Sequence, residues 1–170
     1  MKLIPHFSAL APGVSALLKS GVQKENRNFL PDLYISLWDF DEKWYLSKYP
    51  DLATAIPSET FPTAWDHFMT IGYFEGRLPV EPRVDEAWYL KRYPDVAAAI
   101  FEGIFEDARQ HFERNGYREG RLAADPGVSP EWYAARYLRA RSAVDSDAEA
   151  CTDHFIQLGY RNCAIPSPPA

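Results

Sequence analysis

The chain has 170 residues, 46% apolar and 25% charged, which is the composition of a soluble globular protein long enough for one core. Its net charge of −6 argues against a sequence-independent grip on nucleic acid or an anionic membrane. No apolar run reaches the length of a membrane-spanning helix, so no membrane span is expected.

Residues 1–38 stand apart from the rest. The stretch from Leu3 to Leu18 lacks charge and follows Lys2, as a secretion signal would. Pro5, His6 and Pro12 interrupt it and no small-x-small cleavage site comes after it, so a signal is not expected. Val14 to Lys19 fits a short helix ending at Gly21, and Leu30 to Trp38 is apolar enough to dock on the remainder of the chain. The segment reads as an N-terminal cap.

From Asp41 the chain repeats itself. DEKWYLSKYPDLATAI, then AWDHFMTIGYFEGRLP, returns from Asp85 as DEAWYLKRYPDVAAAI, then ARQHFERNGYREGRLA. A third, worn copy opens at Ser129 as SPEWYAARY and closes as CTDHFIQLGYRNCAIP. Trp44, Trp88 and Trp132 mark the period of about 44 residues, and His67, His111 and His154 keep to it. Self-similarity of this kind predicts stacked units that hide their apolar faces against their neighbours.

Within a copy, Asp41, Asp85 and Ser129 are placed to cap a helix that carries the Trp-Tyr pair. In the third copy Pro130 suits the first helical position. The helix must stop at Tyr49 or Tyr93, because the residue before a proline is pushed out of the α region. PDLATAI and PDVAAAI then read as a second short helix. In the last helix Ala64, His67, Phe68 and Ile71 share a face, as do Ala108, His111 and Phe112, and Cys151, His154, Phe155 and Leu158. Gly72, Gly116 and Gly159 are expected to close it in the left-handed conformation, with a second turn at Gly76 or Gly120. No segment alternates as a strand does, so the expected fold is all-α. It comprises three tandem helical repeats over 39–166, starting near 41, 85 and 129, behind the cap at 1–38 and before a disordered tail at 167–170. Trp88, in the central copy, is expected to touch both neighbours, and Trp88→Ala to cost about 3–5 kcal/mol.

The three histidines repeat too far apart for one metal site, and each lies on an apolar face, so a buried imidazole bonded to a backbone group is expected. The Trp-Tyr pairs read as core anchors before sugar platforms. Asp39-Phe-Asp41 has DxD spacing, but its counterparts are Arg83-Val-Asp85 and Gly127-Val-Ser129, and Asp41 is a cap. No phosphate-loop, dinucleotide, zinc-protease or nucleophile-elbow motif is present, so no catalytic, cofactor-binding or metal residues are assigned. Cys151 takes the place of the core residues Ala64 and Ala108, and Cys163 that of Gly120. With no CxxC and no disulfide framework, a reduced cytoplasmic protein is the expectation, with a secreted or surface location as the alternative. The binding candidates lie in the turns: Tyr73, Glu75 and Arg77, with Tyr117, Glu119 and Arg121, although an arginine that fixes the connecting turn is the first reading of Arg77 and Arg121.

The core F/VDxxWYLxxYPD[LV]xxA…HFxxxGYxEGR resembles the FDxxYYLxxNPDVAAA…HYxxxGWxEGR repeats of bacterial polysaccharide glycosyltransferases and of some large secreted proteins with calcium-binding nonapeptide arrays. The resemblance covers about Phe40 to Pro166. In the third copy Leu138-Arg139 replaces Pro-Asp and Asn162-Cys163 replaces Glu-Gly. It implies a non-catalytic module linked to bacterial cell-surface glycan chemistry and transfers no functional residues. The expected function is a scaffold that binds a protein partner. A carbohydrate-binding accessory to surface-polysaccharide biosynthesis and an enzyme with an unrecognised site are the alternatives.

Overall fold

The computed structural model describes residues 39–58, 61–138, 147–162 and 164–168. All regular structure among them is helical, and no strand occurs there. The expected cap over 1–38, Cys163 and the last two residues of the tail lie outside the described residues.

The first copy holds α1 (Glu42–Lys48), a 3₁₀ turn (Pro50–Thr54) and α2 (Ala64–His67), which runs into a π turn (Phe68–Gly72). The second holds α3 (Glu86–Arg92), α4 (Pro94–Phe101) and α5 (Ala108–His111) with the π turn Phe112–Gly116. The third holds α6 (Pro130–Tyr133), a π turn (Ala134–Leu138), α7 (Ala148–His154), a further π turn (Phe155–Gly159) and a 3₁₀ turn (Tyr160–Asn162).

Local sequence accounts for most of these limits. The carboxylates of Asp41 and Asp85 accept from the N–H groups of Trp44 and Trp88, each at 3.0 Å. Tyr49 and Tyr93 leave the helical region before Pro50 and Pro94, with φ near −120° and ψ of 77° and 78°. Where the third copy has Leu138 in place of proline, the chain stays helical through Leu138. Ser129 differs from expectation: its side chain makes no capping bond, and Pro130, with φ preset for the first turn, opens α6 without it. The last helices are capped by Thr63, Asp107 and Asp147, the first in a reciprocal box with Asp66.

Each copy closes on itself. The Asp41 N–H donates to the Pro79 carbonyl, Asp85 to Ala123 and Ser129 to Pro166, each at 3.0 Å. Each copy also has its own buried cluster: Tyr45, Leu52, Ala64, Phe68 and Tyr73; then Tyr89, Val96, Ala108, Phe112 and Tyr117; then Tyr133, Ala134, Cys151, Phe155 and Tyr160. Leu78 and Trp44 of the first copy pack into the second cluster, and Leu122 of the second packs against the third. Lys48–Glu113 (2.5 Å) and Arg92–Asp153 (2.7 Å) add ion pairs across the same joints.

Two expectations are corrected here. The fully buried ring of each Trp-Tyr pair is the tyrosine, while Trp44, Trp88 and Trp132 are half-buried at the rim of a cluster. The truncation cost of about 3–5 kcal/mol expected of a buried ring at Trp88 therefore belongs to Tyr89. Gly72, Gly116 and Gly159 are not left-handed; the positive φ falls at Gly76 (75°) and Gly120 (74°), in the next turn of the chain. The earlier glycines are required for space. A Cβ on any of them would run into the hydroxyl of Tyr45, Tyr89 or Tyr133.

Candidate functional site

The π turn of each copy brings a buried tyrosine against the histidine of the last helix. Tyr45 Oη and His67 Nδ1 share a hydrogen bond of 3.1 Å, and Tyr89–His111 and Tyr133–His154 repeat it at 3.0 Å. The expected backbone partner of the imidazole is thus a phenol from the first helix. Phe61 and Phe105 meet His67 and His111 edge-on, with ring centres 5.0 and 4.8 Å apart. Ala148 stands at the corresponding place before His154, which is only partly buried.

Burial, and then the charges of Arg77 and Arg121, hold the imidazoles of His67 and His111 below the usual histidine range. Burial pushes the phenols of Tyr45 and Tyr89 well up, and that of Tyr133 up to about 12. At neutral pH the two buried pairs are therefore uncharged phenol and uncharged imidazole. Each is sealed in its own core, a position that fixes α1 to α2 and α3 to α5 and offers no face to a substrate. Among the described residues no group of three His, Cys, Asp or Glu side chains converges on a point where an ion could sit.

A second tyrosine of each copy reaches the exit turn. Leu78 N–H donates to Tyr49 Oη at 2.7 Å, Leu122 N–H to Tyr93 Oη at 3.0 Å, and Ile165 N–H to Tyr137 Oη at 3.2 Å. Arg77 lies over the Tyr49 ring (4.9 Å) and Arg121 over the Tyr93 ring (4.8 Å). Arg77 donates to both oxygens of Asp51, at 3.2 and 2.9 Å, and to Glu75 at 2.7 Å. Arg121 does the same with Asp95, at 2.9 and 2.6 Å, and with Glu119 at 2.6 Å. Hydrogen bonds from these arginines hold the Asp51 and Asp95 carboxyls below the ordinary range.

The four residues expected along a binding edge are therefore divided by the fold. Tyr73 and Tyr117 are 1% and 2% exposed, interior to their clusters. Arg77 and Arg121 are spent on carboxylates of their own copy. Sequence reasoning missed Asp51 and Asp95, although a signal was present. The third copy loses the aspartate, the glutamate and the arginine together, as Arg139, Asn162 and Ala164.

Outside the cores lie an apolar tip and a cleft, besides the single exposed side chains Ile71 and Leu158. The end of α4 and the turn after it present Phe101, 93% exposed, and Ile104, 59% exposed. A polar cleft of about 450 Å³ opens between the first and second copies, walled by Lys48, Tyr49 and Arg77 on one side and by Glu113, Arg114 and Arg118 on the other. In comparisons with known proteins, no family model, curated protein or solved structure matches the chain.

Proposed function

We propose that this chain is a non-catalytic interaction module that holds a protein partner in a bacterial cell-surface glycan setting. Its frame is an array of three tandem helical repeats of about 44 residues, capped by the N-terminal segment. The observation that carries the reading is the apolar tip in the central copy. Phe101 and Ile104 stand in solvent beside Gly103, whose φ of 75° turns the chain there. Neither side chain contributes to a core, and a partner that covered them would remove apolar surface from water at about 25 cal/mol per Å². The commitment of the shifted tyrosines and histidines to internal pairs supports the non-catalytic part. The glycan setting rests on the resemblance of the repeated segment.

The test is affinity capture from the source organism's lysate with the parent chain and with Phe101→Ser plus Ile104→Ser. A reproducible protein partner retained by the parent and lost by the variant, at unchanged melting temperature, is expected. Capture that is indifferent to the two substitutions would sink the docking surface, and turnover of a sugar nucleotide or other small substrate would sink the non-catalytic reading.

A further inference from the structure

The two joints inside the array show what the outward face of a copy meets. Lys48, at the end of α1, lies over Trp44 at 5.9 Å and crosses to Glu113, in the π turn that continues α5. Arg92, at the same place in the second copy, crosses to Asp153 on α7 of the third. Leu78 and Leu122, tied by their N–H groups to the tyrosine that follows each cation, go the same way. Leu78 is buried in the second cluster, and Leu122 packs against the third. Each joint therefore sets a cation and an apolar side chain against a unit whose last helix brings a carboxylate.

The third copy carries the same face. Arg136 stands where Lys48 and Arg92 stand, and Ile165 where Leu78 and Leu122 do. Arg136 lies over Trp132 at 5.8 Å and over Tyr137 at 5.7 Å, and Ile165 N–H donates to Tyr137 Oη at 3.2 Å, so the set keeps the arrangement of the first copy. Arg136 is exposed and makes no ion pair among the described residues. Ile165 is only half-buried and, unlike the two leucines, belongs to none of the three clusters. This copy has lost the carboxylate–arginine network of its exit turn, yet it retains the positions that serve a joint.

We infer that the outward face of the third copy docks a helix of a partner protein, one that presents a carboxylate to Arg136 and an apolar strip to Ile165 and Trp132. The charge follows from the inner joints, where both cations at this place meet a carboxylate. Aligned by copy, Glu113 and Asp153 stand three positions apart on the last helix, and so share one face of it. A wholly apolar occupant would desolvate the Arg136 charge with nothing to offset it. A guanidinium already held over two rings loses little freedom on binding, and its planar fork suits a carboxylate. The inference rests on the protein-partner reading and adds to the Phe101 tip a second contact with its own chemistry.

It is tested by titrating the full chain with a synthetic peptide of residues 147–162, acetylated, amidated and carrying Cys151→Ala, the residue found at that place in the other copies. Within the chain this segment is the one that meets Arg92. Saturable binding is expected that shifts the indole N–H resonance of Trp132 and leaves those of Trp44 and Trp88 in place, because the inner joints are already filled. Arg136→Gln in the chain, or Asp153→Asn in the peptide, should weaken it about tenfold or more, the loss of one charge-assisted hydrogen bond. Arg136→Glu in the chain with Asp153→Lys in the peptide should recover binding that either change alone removes. If a substitution at Arg136 lowers the melting temperature, the Asp153→Asn peptide, which cannot unfold the chain, decides alone. The titration makes no use of Phe101 or Ile104, so this face and the tip fail separately. No saturable binding, affinity indifferent to loss of either charge, or shifts spread equally over the three tryptophans would each overturn the assignment.

Discussion

Tyr89, His111 and Gly116 form a three-residue lock that recurs in every copy with the same geometry. The phenol fills the space that a side chain at Gly116 would need, and its hydroxyl is held there by the imidazole at 3.0 Å. Gly116→Ala must therefore displace a ring that is 0% exposed or break its hydrogen bond. The expected cost is about 1–3 kcal/mol, the usual range for overpacking a filled core. Tyr89→Phe removes the clashing oxygen but orphans a buried nitrogen, at about 1–3 kcal/mol. In the double variant the alanine has room, so the two losses should sum to more than the combined loss. Chemical denaturation of the two singles and the double measures this coupling. Strict additivity would mean that the glycine is kept for some other reason. The same lock predicts how stability depends on pH. The folded pKa values of His67 and His111 lie below the unfolded one, so the unfolded chain takes up protons first as pH falls. Stability is full above about pH 6.5 and declines below it as pH drops through the folded values. Denaturant midpoints taken from pH 7.5 to 5 should show that decline, and His111→Gln should flatten part of it. An unchanged slope in that variant would remove the buried imidazole from the account.

At the scale of the element, the sequence made the helices legible because their punctuation is local. Asp41 and Asp85 cap, Pro50 and Pro94 stop, and Ala64, His67 and Phe68 point inward as their spacing requires. Ile71 and Leu158, expected on the same face, are exposed because the π turn swings them off it. What the sequence hid is that turn. Tyr73 N–H reaches the Phe68 carbonyl at 2.8 Å and Tyr117 N–H reaches Phe112 at 2.9 Å, one residue wider than an α turn. That extra residue moves Tyr73 and Tyr117 from an expected edge into the core, and a periodicity of 3.6 gives no hint of it. The arginine networks were hidden for a different reason: Arg77 and Asp51 lie in different elements, so no helical spacing joins them. Only comparison among copies links the two sets, because the third copy drops every member at once. It keeps Tyr137 on the exit-turn N–H all the same, which identifies the phenol as the part of the turn that the fold retains without the ion pairs.

For the whole molecule, repetition made the copies legible, but not how separate they are. The expectation was of units that hide their apolar faces against their neighbours; among the described residues each copy holds its own cluster, and Trp44, Leu78 and Leu122 pack across the joints. Neither feature outside the cores was legible, since Phe101 and Ile104 fall in a stretch that reads only as a linker of variable polarity and the cleft needs two copies side by side to exist. The closure bonds have a consequence for how such a chain can grow. Because Asp85 N–H meets Ala123 carbonyl at 3.0 Å, the second copy's entry and exit lie together, and the segment between two such points is spliceable. Duplicating residues 80–123 in tandem would add a complete core and a further joint without stretching any existing connection. The lengthened protein should fold, and its denaturant m-value should rise with the added buried surface. Gene duplication could then alter the reach of this protein one fixed increment at a time.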